Sequence, residues 1–412
     1  MERMEQKLQE YAQLLIAVGL NVQRGQTVLI QSPVECAPFA RLCASAAYDA
    51  GCREVVMSWS DDATARERYL RADGAVFDEV PAWRRHFFND YAAEGAARLV
   101  IDAADPETLK DVDTDRIVRA QRIAGKELEP YYHTYMNNEA PWCVASVPIP
   151  SWAGKVFPGL REAEATAKLW DAILETVRVS GDGTAVERWR RHLTTLEERR
   201  DRLNALRFRS LRYANSLGTD LTIELPEGHL WSSGRSVTPK GQAFVANMPT
   251  EEIFTAPHRL GFNGVVYGSM PLVDNGNIID KLRFVIKDGR IVEAHAETGE
   301  AFLKAAYTVD EGASYFGEVA LVPYDSPISN QGILYYNTLF DENARCHLAF
   351  GEAYPECLEG GSGMTRDELR EHGLNWSINH VDFMVGTADL SIVGTTHDGR
   401  EVPVFANGNF AL

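Results

Sequence analysis

Positive charge is in short supply: 41 Lys and Arg residues face 59 Asp and Glu residues in a chain of 412, for a formal net charge of −18. A general nucleic-acid binder carries a basic footprint, and anionic lipid attracts basic segments. The acidic balance therefore excludes both as partners. Long apolar runs are also missing, and no stretch reaches the roughly 20 residues a membrane helix needs. The first residues, Met1 to Gln6, are charged and lead into an amphipathic segment, without the apolar core of a secretory signal.

Cysteine is sparse. Cys36, Cys43, Cys52, Cys143, Cys346 and Cys357 form no C-x-x-C pair, so neither a disulfide scaffold nor a thiolate metal site is indicated. They read as reduced thiols of a cytoplasmic protein, and Cys346 as a small buried apolar residue. Several catalytic signatures are absent as well: G-x-G-x-x-G, the Walker G-K-[ST], H-E-x-x-H and G-x-S-x-G. Gly360-Gly361-Ser362-Gly363 is glycine-rich, but no apolar strand precedes it. It reads as a flexible connection before a helix opened by the capping box Thr365 and Glu368.

What is present is an ordinary globular composition, 45% hydrophobic and 24% charged, long enough for two domains. The first half alternates helix and strand. Leu8, Tyr11, Leu14, Leu15 and Val18 recur at helical spacing. Apolar runs at 27–30, 54–59, 97–101 and 143–147 predict strands. A helix over 39–50 closes at Gly51, and further helices are predicted over 162–177 and 184–204. The last opens with Thr184 and Glu187 as a capping box, and its Arg-rich side is a solvated face. This order predicts an α/β N-terminal domain, residues 1–205, with a largely parallel three-layer sheet. From 206 to 412 strand signals dominate, and Asp288-Gly289 and Asp398-Gly399 mark tight turns. That half is predicted as a mixed, mostly antiparallel α+β catalytic domain.

The chemistry-bearing residues cluster in the second half. In His380-Val381-Asp382 the imidazole and carboxylate project to one face of a strand, where they chelate a divalent metal or hydrogen-bond each other. Glu318 is a lone glutamate inside Phe316-Gly317-Glu318-Val319-Ala320-Leu321-Val322, and such a group is costly to bury unless paired or metal-bound. Glu251 and Glu252 follow Pro249 between apolar flanks, so that one points into a site and the other away. The run 340–354, with His347 and Tyr354, is predicted helical, with those two residues on one face. Glu252, Glu318, His347, His380 and Asp382 together offer three carboxylates and two imidazoles without a thiolate. That set suits zinc, cobalt or manganese. It exceeds the needs of one ion and is compatible with a two-metal site that activates water and polarises a carbonyl.

At these residues the sequence resembles the thermophilic metallo-aminopeptidases, the group that includes aminopeptidases T and S. The resemblance spans essentially the whole chain and includes Met136-Asn137-Asn138-Glu139-Ala140-Pro141-Trp142, Ser216 to Leu221 and Leu334 to Asn343. It implies an exopeptidase that removes N-terminal residues from peptides using two divalent metal ions. It further implies Glu252, Glu318, His347, His380 and Asp382 as ligands, Tyr354 close by, and a homodimer. With it go Glu251 as general base or amine anchor and Tyr354 as donor to the developing oxyanion. Two alternatives are a metal-dependent hydrolase of another amide and a peptide- or metal-binding protein without turnover.

Overall fold

The computed structural model describes residues 2–412. Its chain contacts divide it into two compact units. One comprises 1–195 with 234–250, and the other 196–233 with 251–412.

The first unit is built on a five-stranded sheet. Its strand order is Glu54–Ser60, Thr27–Pro33, Ala97–Asp102, Trp142–Ser146 and Asn247–Met248. Every pairing in it is parallel. Parallel strands covered on both faces are apolar along their length, which is why Val28, Leu29 and Ile30 are all fully buried. The intervening segments are helical, as their spacing predicts. Ala37–Asp49 carries a proline in its first turn and ends before Gly51, whose φ of 84° suits the left-handed position after a helix. The helix Ala185–Leu206 is capped from a distance. The buried Glu10 carboxylate accepts the N–H groups of Gly181 (2.6 Å) and Ala185 (2.9 Å), while the Thr184 hydroxyl donates to Asp182. The fifth strand is two residues long and reaches the sheet from the middle of the sequence, a short excursion with no hydropathic signature.

The second unit is a sandwich. An eight-stranded sheet and a five-stranded sheet contribute side chains to one buried cluster. Phe208, Leu221, Phe262, Phe284 and Ile392 come from the larger sheet, and Phe316, Val319, Leu348, Phe350 and Phe383 from the smaller. Phe262 and Phe316 stack with centroids 4.2 Å apart, and Phe284 meets Phe383 edge-on at 5.3 Å. Each buried aromatic contributes about 1.5–3 kcal/mol. In the larger sheet Lys287 pairs with Arg290, so the turn between them is the two residues Asp288 (φ 49°) and Gly289 (φ 80°). Those angles match the twist of the flanking strands. The Gly360–Gly363 segment departs from expectation: residues 361–363 form a tight turn, and Gly361 is buried. The capping box of Thr365 and Glu368 is in place. The six cysteines are free thiols. No helix among the described residues is long and apolar enough to cross a membrane.

Candidate metal centre

The five-stranded sheet of the second unit runs in the order His380–Met384, His347–Gly351, Phe316–Leu321, Ile253–Thr255, Ser232–Ser233. Its pairings are antiparallel, and the register sets the site. Glu318 lies opposite Ala349, and Ala349 opposite Asp382. His347 lies between Ala320 and Met384, and Gly351 opposite His380. Alternate residues share a face, so Glu318, His347, His380 and Asp382 all project from the same side. Ala320, Ala349 and Gly351 intervene on that side, and their small side chains leave the polar groups room to converge. The other side carries Val319, Leu321, Leu348, Phe350, Val381 and Phe383 into the core.

One break in the alternation makes this possible. Phe316 and Glu318 are two residues apart and would share a face in a regular strand. The register shifts between them, an extra residue of the kind that re-aims a side chain. Phe316 therefore enters the core opposite Phe350, while Glu318 turns to the site. The residue between is Gly317, where a Cβ would sit 2.2 Å from the Glu352 carbonyl oxygen. Only glycine fits so close an approach. Ile253, paired with Leu321, points into the core and leaves Glu252 on the opposite side.

The distances are short. His347 Nε2 lies 3.1 Å from Glu252 Oε2 and 3.5 Å from Glu318 Oε1. His380 Nε2 lies 3.3 Å from Glu318 Oε2 and 3.3 Å from Asp382 Oδ1. Glu318 thus turns one oxygen to each imidazole. Both rings are fixed from behind. His347 Nδ1 donates to the carbonyls of Glu342 (2.9 Å) and Arg345 (3.1 Å), and His380 Nδ1 donates to that of Glu352 (2.7 Å). A carbonyl only accepts, so the proton of a neutral ring sits on Nδ1 and the Nε2 lone pair faces the carboxylates.

The electrostatics follow from this crowding. Burial works against a charge on either imidazole, yet the neighbouring carboxylates outweigh it and hold both rings well above the usual histidine range. Those carboxylates are Glu252 and Glu318 at His347, and Asp382 and Glu318 at His380. Burial also works to raise Glu318, but its two imidazole partners prevail and keep it at about 2. Burial raises Glu252 against the pull of His347. Tyr354 follows the His347–Gly351 strand, its ring edge-on to His380 at 5.2 Å and to Phe254 at 5.7 Å. Burial, with Glu318 and Asp382, pushes its phenol well above the usual tyrosine value, so it stays a protonated donor.

The arrangement fits divalent cations. Two Nε2 lone pairs aimed at carboxylate oxygens need a proton or a metal between them. Asp382 Oδ1 is buried without a hydrogen-bond partner, although His380 Nε2 is at ion-pair distance. Three sets of donors have ligand atoms within 4.8 Å of one another: Glu252, Glu318 and His347; Glu318, His380 and Asp382; and Glu342, His347 and Asp382. Hard oxygen donors with imidazole nitrogens are the chemistry of zinc, manganese and cobalt sites.

Residues 4–410 match the family described as thermophilic metalloprotease (M29). The chain belongs to that family. The M29 relatives include aminopeptidase AmpS of Bacillus subtilis (strain 168), 45% identical with both chains covered in full. Aminopeptidase 2 of Geobacillus stearothermophilus is 43% identical, over all of this chain and 99% of its own. The solved structure of wild-type AmpT from Thermus thermophilus superposes with a TM-score of 0.90 at 38% identity, covering 99% of this chain and 100% of that one. As an M29 metalloprotease the chain is a hydrolase that uses divalent metal.

The structure brings together all five residues that the sequence singles out as ligands. It differs on how His347 arrives. The stretch 340–354 is not a helix. Only its first three residues are helical, at the end of the short helix Thr338–Glu342, and His347–Gly351 is a strand buried on both faces. Tyr354 is close to His380 because the chain turns after that strand. Glu251 is buried, its N–H held by Asn343 Oδ1 at 2.7 Å, and its carboxylate is in none of the three donor sets. Sequence reasoning missed Glu342. Burial, then the Asp382 charge, push its pKa well up. Its one visible signal is the buried-looking context Leu339-Phe340-Asp341-Glu342.

Proposed function

We propose that this metal-dependent aminopeptidase holds two divalent cations, sharing Glu318, and removes N-terminal residues from peptides. One observation carries the reading: Glu318 presents its two oxygens to two different imidazoles, 3.5 and 3.3 Å away. Each pairing belongs to its own donor set. On this reading Glu252 and His347 serve one cation, His380 and Asp382 the other, and Glu342 adds a donor between them. Bound divalent cations of this kind supply an activated water and polarise the scissile carbonyl. The chain's own residues do the rest. The backbone carbonyls behind His347 and His380 hold the Nδ1 proton and the ring orientation, so that Nε2 is the atom aimed inward to a cation. Tyr354, kept protonated beside the carboxylates, donates to the oxyanion that develops on the substrate. Glu251 takes the proton or anchors the substrate's free amine. Zinc, cobalt and manganese all suit the donors. The family resemblance and the free cysteines support a cytoplasmic homodimer.

The test is a panel of aminoacyl anilides and N-blocked peptides, assayed after dialysis and metal replenishment. Free-amine substrates should be cleaved and blocked ones spared, with activity returning only on metal addition. Equal turnover of blocked substrates would point to another amide hydrolase, and no turnover with full metal uptake to a binding protein.

A further inference from the structure

Glu252 and Glu342 come from separate stretches of chain, and one buried side chain bonds the backbone beside the first and the carboxylate of the second. Asn343 is fully buried. It follows Glu342 directly and precedes His347 by four residues. Its Oδ1 accepts the Glu251 N–H at 2.7 Å, fixing the peptide unit beside Glu252. Its Nδ2 donates to the Leu339 carbonyl at 2.9 Å and to Glu342 Oε1 at 3.4 Å. The Ser326 hydroxyl donates to its carbonyl at 3.5 Å. Only a side-chain amide offers an acceptor on one side and a donor on the other at this length. It does so without adding charge to a site already crowded with carboxylates.

We propose that Asn343 is a positioning residue for the cation on the Glu252–His347 side, orienting Glu252 through the adjoining backbone and Glu342 directly. This rests on the metal reading given above. An aspartate at 343 keeps the acceptor for the Glu251 N–H and nearly the same shape. It loses the donor and places a second carboxylate against Glu342. Partners of this outer kind typically account for roughly 10–100-fold in metal affinity or activity.

The experiment titrates metal-stripped wild type, Asn343→Asp and Asn343→Ala with Co²⁺, following the visible spectrum and calorimetry. Melting temperature, kcat and KM are measured alongside. Asn343→Asp should lower the melting temperature through its buried carboxylate but keep one tight cation, while the other binds roughly 10–100-fold more weakly. Its kcat at fixed metal should fall and then recover as Co²⁺ is raised. Asn343→Ala, which also frees the Glu251 N–H, should weaken the same cation further. Two cations bound by Asn343→Asp with wild-type affinity would overturn the role. So would equal weakening of both cations, the mark of a purely structural residue. Wild type that took up no Co²⁺ would overturn the metal reading itself, and the Asn343 role with it.

Discussion

Glu318 and Tyr354 sit beside the same imidazole and do different work. Glu318 has a donor oxygen in each of two sets, so on the proposed two-cation reading removing it takes a ligand from both at once. Tyr354 meets the site through its ring, edge-on to His380, and belongs to none of the three sets. Glu318→Ala should therefore lose both metals, by elemental analysis, and all activity. Tyr354→Phe should keep both metals and lose roughly 10²–10³ in kcat, the usual cost of a preorganised oxyanion donor. A Tyr354→Phe enzyme with full kcat removes that residue from the chemistry. A Glu318→Ala enzyme that retains two metals shows the ligand set to be wrong.

The bulge at Gly317 governs a whole strand. Adding a methyl group there meets the Glu352 carbonyl at 2.2 Å, and backbone does not yield as a flexible side chain would. Gly317→Ala should cost about 1–3 kcal/mol in overpacking, a fall of roughly 2–12 °C in the melting transition of a unit this size. It should also lose metal, because Glu318 is displaced with the strand. Gly289→Ala is the control. Its methyl would meet the Arg259 carbonyl at 1.8 Å in a left-handed turn far along the sequence from any ligand. That variant should melt lower yet keep its metal and kcat. If both variants retain full metal content, the bulge does not set the site. These two glycines also show what a sequence discloses about elements. Asp288-Gly289 was legible because turn chemistry is local. The parallel strand Thr27–Pro33 was legible because burial on both faces makes an unbroken apolar run. The strand carrying His347 was not, for a specific reason. Its site-facing partners, Ala349 and Gly351, are small to leave room for ligands, so His347-Leu348-Ala349-Phe350-Gly351 shows no polar alternation and looks helical. Glu342 hid for the opposite reason: paired with Asp341 at the end of a short helix, its charge masks the apolar context of Leu339 and Phe340. The five proposed ligands stood out as charges in apolar surroundings, and the family resemblance singled out the same five.

At the scale of the molecule the acidic balance acquires a structural meaning. Most of the negative charge is spread over the surface. Glu252, Glu318, Glu342 and Asp382, however, crowd against two imidazoles inside the second unit. With all four carboxylates ionised and both rings protonated the cluster would stand at −2, and buried charge without a partner is strongly destabilising. Cations held there as proposed would reverse that deficit, and would then stabilise the folded unit as well as serve the reaction. A ligand present at 100 times its Kd contributes about 2.7 kcal/mol per site, so two sites contribute about 5.4 kcal/mol, or roughly 11–22 °C in melting temperature. Chelation should lower the transition of the second unit by about that much. The effect should be regional. Hydrogen exchange should quicken in Ile253–Thr255, Phe316–Leu321, His347–Gly351 and His380–Met384. Protection in the parallel strands Thr27–Pro33, Glu54–Ser60 and Ala97–Asp102 should hold, because those strands contribute no donor to the cluster. If chelation leaves the melting curve unmoved, or loosens both units alike, the buried carboxylates are not balanced by metal, and protons shared among them must carry the charge instead.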